Sequence, residues 1–241
     1  APDKPTVKVP SENQIEQVIL AAQRLSYAPY TEQALGKDLI TNLPEAGSIV
    51  SEKPYKHGFN ELTLSNGMKA YARKTDYSND AVSLRMEAEG GTSLYGDEDI
   101  PNFSLITSGV TEGGVGQFDA VSLRKMLTGK SVRVSPSVGT QSQSISGSSS
   151  VKDMKTMFQL TYLYFTQPRK DTLAFREFIN RNRAFLTNRN ASPKVDYNDS
   201  IKAILYAHNP RLAPVVQSTL DKVSYDRILQ IYKERFSDAE S

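Results

Sequence analysis

The sequence holds 241 residues, 38% of them hydrophobic and 23% charged, with a formal net charge of +2. That is enough chain for one large domain, or one domain with an extension, and its composition is that of a globular protein rather than a disordered one. The near-neutral charge gives no general attraction to nucleic acid or to an acidic membrane. No apolar run is long enough to span a bilayer, and with no Cys, disulfides, thiolate chemistry and Cys-based zinc sites are excluded. A start at Ala1, without Met and without a basic-then-apolar leader, reads as a mature or excised fragment.

Residues 1–56 differ from the rest, carrying six of the twelve Pro. One helix is expected there. Ser11 and Gln14 form a capping box, each side chain serving the other's backbone N–H. Ile15, Val18, Ile19, Ala22 and Leu25 then recur on one helical face until "YAPY" stops them. The remainder reads as an extended linker, with too little apolar surface for a core of its own.

From residue 57 the texture changes. "NELTLSNGMKAYARKT" predicts two strands around a tight Asn66-Gly67 turn. "AVSLRMEAEGG" alternates Val82, Leu84, Met86 and Ala88, a half-buried strand. The acid cluster "GDEDI" then leads into a short apolar helix over 102–106. Its acids, Asp97, Glu98 and Asp99, are expected to complement the positive end of that helix. "EGGVGQF" lacks the Lys-Ser/Thr of a phosphate loop and reads as a turn. A second short helix ends at Gly129, and "SVRVSPSVGT" and "SQSISGSSS" pair as a hairpin. The polar stretch "GTQSQSISGSSS" suits either an edge strand open to peptide addition or a solvated strand face.

Helices follow. One opens at Ser150 and Asp153 with Met154, Met157, Phe158 and Leu160 expected inside, and stops before Pro168. The next carries Phe175, Phe178, Ile179, Asn182, Phe185 and Leu186 on one face. Its six Arg and Lys over 169–190 suit a solvated face or an anion site. Another follows Pro193, and Ser224 caps the last. The order predicts an α+β fold, with helices on one face of a mixed or antiparallel sheet. The only His residues, His57 and His208, have no partner at ligand spacing and read as solvated loop residues. Composition and periodicity alone thus give an α+β domain with no catalytic constellation.

Taken in order, "LTLSNGMKAYARKTDYSNDAVSLRMEAEGGTSLYGDED", "LRKMLTGKSVRVSPSVGTQSQSISGSSS", "DMKTMFQLTYLYFTQPRKD", "FLTNRNASP" and "ILYAHNPR" resemble the M16 (pitrilysin/insulinase-like) zinc metallopeptidases. The match covers roughly 57–241, and 1–56 resembles the linker between the halves of long bacterial members. The resemblance implies an M16-like α+β domain over 57–241 that stops before its last core strand.

Active halves of the family carry H-x-x-E-H on the first helix after the second strand, two His for zinc and a Glu to activate the bound water, with a further Glu from a later helix. The corresponding residues read here as Asn102, Phe103, Ser104, Leu105 and Ile106. Both His and the Glu are replaced, and no His lies between 58 and 207. The resemblance therefore implies no catalytic, cofactor-binding or metal residue in this segment, and zinc in a catalytic half elsewhere. It implies a non-catalytic wall of a peptide-degrading chamber, with peptide or unfolded protein and the catalytic half as partners, no nucleic acid, no membrane span, and a periplasmic or envelope location. A Cys-free chain suits that compartment. A stand-alone scaffold derived from an inactive subunit, or an envelope- or sugar-binding module using the polar strand, are the alternatives.

Overall fold

The computed structural model describes residues 10–24, 38–189 and 192–237. The chain divides into two units, 1–35 and 36–241. In the first, helix α1 (Glu12–Arg24) opens with the expected capping box: Gln14 Oε1 accepts from the Ser11 N–H at 2.9 Å, and Ser11 Oγ accepts from the Gln14 N–H at 3.3 Å. Leu25 and the stop at 27–30 lie outside the described residues.

The second unit contains two antiparallel three-stranded sheets. The first has the order β1 (Ile49–Pro54), β2 (Asn60–Leu64), β3 (Lys69–Ala72). Part of the stretch read as extended linker is thus a paired edge strand, and Pro54 sits at its end, where a missing N–H does least harm. The β2–β3 turn places Gly67 at φ +84°, and the Gly67 N–H donates to Leu64 O at 2.9 Å. Only the Gly of the Asn-Gly pair takes the left-handed conformation. This sheet buries little beyond Glu61, which pairs across the strands with Lys53 at 3.0 Å.

The second sheet runs β4 (Val82–Glu89), β6 (Ser142–Ser149), β5 (Val132–Val138). The β5–β6 hairpin forms as expected, and β4 shows the predicted alternation of half-buried and exposed residues. Of the two readings of the polar strand β6, the edge fails and the solvated face holds: β6 is central, hydrogen-bonded along its length to β4 on one side and β5 on the other, while Ser142, Ser144, Ser146 and Ser148 share a half-buried to exposed face. Its buried Gln143 is accounted for, accepting from the Gly91 N–H at 2.9 Å and donating to Glu89 O at 3.2 Å.

The helices are α2 (Ile100–Phe103), α3 (Ile106–Gly113), α4 (Ala120–Met126), α5 (Met154–Thr166), α6 (Thr172–Arg189), α7 (Pro193–Leu205), α8 (Gln217–Leu220) and α9 (Tyr225–Phe236). Ser224 caps α9 as read, its Oγ accepting from the Arg227 N–H at 3.3 Å. The core lies where α3, α5 and α9 meet the second sheet. Ile106, Val110, Ile145, Met157, Ile228, Ile231 and Tyr232 are all fully sealed from solvent there, each such side chain contributing about 1.5–3 kcal/mol. On α5, Met157 and Leu160 are inside, but Met154 and Phe158 are 40% and 50% exposed. They occupy the flank of the helix turned away from the sheet, a distinction that apolar content alone does not carry.

Candidate functional site

The segment 96–113 runs from the end of β4 into the core. A 3-10 turn at Asp97–Asp99 leads into α2, a break at Ser104 and Leu105 follows, and α3 continues. The single helix expected over 102–106 is thus two short pieces. The acids sit at the start of α2, as expected, and two of them also have partners that are arginines far along the chain. Arg227 donates two hydrogen bonds to Asp99, at 2.8 and 2.5 Å, and Arg211 donates to Asp97 at 3.0 Å. Arg227 beside it, reinforced by the Asn102 side chain, holds the Asp99 carboxyl below its ordinary range, despite burial pulling the other way.

Tyr95 completes the clasp. The guanidinium groups of Arg227 and Arg235 lie 5.5 and 5.6 Å from its ring centroid, and its hydroxyl donates to Glu234 at 2.8 Å. Arg211 also donates to the Thr92 and Tyr95 carbonyls at 3.1 and 2.5 Å. The loop after α7 and the helix α9 are thereby both tied to the start of α2. Nothing in the local pattern of "GDED" announces partners 114 and 128 residues away.

Beyond the clasp the segment has two faces. Asn102 and Ile106 face inward, 4% and 0% exposed, and Asn102 Oδ1 accepts from the Ser224 N–H at 2.9 Å, fixing the start of α9. At the far end, a Cβ on Gly113 would come within 2.2 Å of the Arg169 carbonyl oxygen, so only Gly permits that approach. Tyr225 locks the junction: its hydroxyl donates to Gly109 O at 3.1 Å and its ring stacks on Phe175 at 4.1 Å.

The other face opens on a cleft of about 500 Å³. Ser104, Leu105 and Ser108 line it from this segment. The residues of this segment that border the cleft are thus not the outer pair of the five-residue frame, Asn102 and Ile106, but Ser104 and Ser108. The outer residues of an H-x-x-E-H sequence have to reach one shared open space, and at 102 and 106 both side chains enter the core. At 104 and 108 both side chains border the cleft.

Across the cleft stand Phe178, Asn182, Phe185 and Leu186 of α6, Asp199 and Lys202 of α7, and residues 212–215. Asp199, the only carboxylate lining the cleft among the described residues, is already engaged. Arg189 binds Asp199 through two bonds of 2.6 and 3.0 Å, which holds the Asp199 carboxyl below its ordinary range and raises the guanidinium. Two hydroxyls, an amide and a neutralised carboxylate do not fit zinc, which takes His, Cys or free carboxylates. No group of three or more His, Cys, Asp or Glu suited to a metal occurs among the described residues.

The remaining candidates are structural. His57 and His208 are exposed, at φ 57° and 56° in turns. "EGGVGQF" is a packed turn in which Val115, fully buried, bridges Phe118 and Pro168. On α6, Arg181 pairs with Glu112 at 3.0 Å, Arg183 with Asp221 at 2.7 Å and Arg189 with Asp199. Of the two readings of that basic stretch, this supports the solvated face.

No family model matches the chain. It is 22% identical over 230 residues to a curated Arabidopsis thaliana protein described as zinc protease PQQL-like, a match covering 94% of this chain and 21% of that protein. The structure of the periplasmic protease PqqL from Escherichia coli superimposes with a TM-score of 0.70 at 18% identity, over 95% of this chain and 25% of that one. A peptidase M16 inactive domain from Pseudomonas fluorescens gives 0.58 at 14% identity, over 72% and 42%. The α+β fold is that of the M16 peptidases, as the sequence resemblance implies. The chain spans about a fifth of the curated relative's length and a quarter of PqqL's. Among the described residues no helix is long and apolar enough to cross a membrane.

Proposed function

We propose, for a chain with the fold of the M16 peptidases and a sequence related to a PQQL-like zinc protease, that it is a non-catalytic wall of a peptide-degrading chamber. The observation that carries this reading is the pair of cleft-facing positions, Ser104 and Ser108, where an active half would present zinc ligands. In this reading the zinc and its water belong to a catalytic half of the same longer protein, and no step of hydrolysis passes through the present residues. Residues 1–56 connect the two halves and 57–241 form the wall, with β1 lent by the connector as an edge strand. The substrate is peptide or unfolded protein. The periplasm or cell envelope is the compartment, supported by the periplasmic neighbour and by the lack of Cys.

The wall acts by positioning, and misplacing a substrate by about 1 Å can cost on the order of 100-fold in rate. The test compares the full-length protein with a form lacking residues 57–241. Retained zinc with at least a 100-fold loss in cleavage of a long unfolded peptide is expected. Unchanged cleavage without the segment would remove the wall role.

A further inference from the structure

The cleft beside Ser104 and Ser108 has room, apolar surface and an uncompensated charge, and these together specify an occupant. Its volume of about 500 Å³ lies within the roughly 300–1,000 Å³ of small-ligand sites. Phe178, Leu186 and Leu105 supply apolar lining, and Phe185 stands 69% exposed at its edge. Arg189 and Asp199 cancel one another through their paired hydrogen bonds. Lys202 forms no ion pair among the described residues and acts on Asp199 only through its field, so the lining carries one surplus positive charge. The amide of Asn182 donates to Phe178 O at 2.8 Å, which leaves its oxygen free to accept.

We propose that this cleft holds the C-terminal residue of a peptide, with its apolar side chain against Phe178 and Leu186 and its carboxylate on Lys202. A chain end is the part of a peptide that carries an apolar side chain and a carboxylate on the same Cα. Within one cleft it satisfies both the apolar lining and the surplus charge. The Asn182 oxygen then accepts the last amide N–H. This rests on the peptide-handling function above and deepens it: the wall grips a free end, and the chemistry occurs in the catalytic half of the longer protein.

The experiment measures binding of N-acetyl-Ala-Phe, as free acid and as amide, to the 241-residue chain by calorimetry. The acid is expected to bind at least tenfold more tightly. Lys202→Gln, at an exposed position, is expected to bring the acid down to the level of the amide and leave the amide unchanged. Ser108→Trp, which fills the cleft, abolishes both. Equal binding of acid and amide overturns the proposal, as does an acid preference that survives Lys202→Gln. So does a failure to bind in a chain that self-associates and becomes monomeric on Phe185→Ser, because the face is then an interface between copies. Since the assay needs no catalysis, it fails or succeeds separately from the deletion test of the wall role.

Discussion

On the inward side of residues 100–113, Asn102, Ile106 and Val110 are sealed and the Asn102 oxygen is held by the Ser224 N–H; on the outward side, Ser104 and Ser108 border open space and their hydroxyls bind nothing among the described residues. The inward face joins α9, the second sheet and the arginine clasp around Tyr95 into one interlocked unit. Any change there is transmitted to several elements at once. On the outward face Ser104 and Ser108 border the cleft, so these two can change with little consequence for the fold. The difference separates what keeps the architecture from what performs chemistry, and in this chain only the first is strongly determined.

The comparison breaks most easily at Ile106. Ile106→Ala removes a side chain with no exposure and should cost about 4 kcal/mol, transfer and cavity terms together, read from denaturant unfolding of the chain. A loss below about 1 kcal/mol would mean that the inward face is not the structural one.

Asp99→Ala comes next. It leaves Arg227 without its carboxylate and should cost about 2–3 kcal/mol. The pH dependence follows from the depressed carboxyl. A folded value below the ordinary 3.8 means that the pair's contribution is fully present above that pH and is lost as the pH falls through the folded value. Wild type should therefore lose stability steeply below about pH 4, and Asp99→Ala should show a shallower acid limb. Parallel acid limbs in the two proteins would exclude the clasp as the cause.

The smallest effect belongs to the cleft. Ser104→Ala together with Ser108→Ala should move the melting free energy by no more than about 0.5 kcal/mol. A larger loss would show that the outward face also supports the fold.

Much of the local architecture was legible in the sequence because it rests on local rules. The Ser11–Gln14 box, the Ser224 cap, the alternation in β4 and the β5–β6 hairpin all follow from spacing over a few residues, and the order of the motifs carried the M16 resemblance. What spacing could not supply was pairing across the chain. The acids at 97 and 99 read as helix-end charges and no more, because Arg211 and Arg227 lie more than a hundred residues away. The polar β6 suited an edge as well as a solvated face because its Ser and Gly residues do not show that its backbone is paired on both sides. That Asn102 and Ile106 turn inward was hidden for a related reason: which side of a short, broken helix faces a cleft depends on the elements around it, not on the helix's own sequence.

The proposal that this cleft stands where an active M16 half would hold zinc, without the ligands to hold it, is tested most directly by titrating zinc into the 241-residue chain after chelation, against a competing indicator. The account predicts no stoichiometric site, only weak binding at surface groups such as His57 and His208. One equivalent bound with a sub-micromolar Kd, and lost on Ser104→Ala with Ser108→Ala, would contradict it.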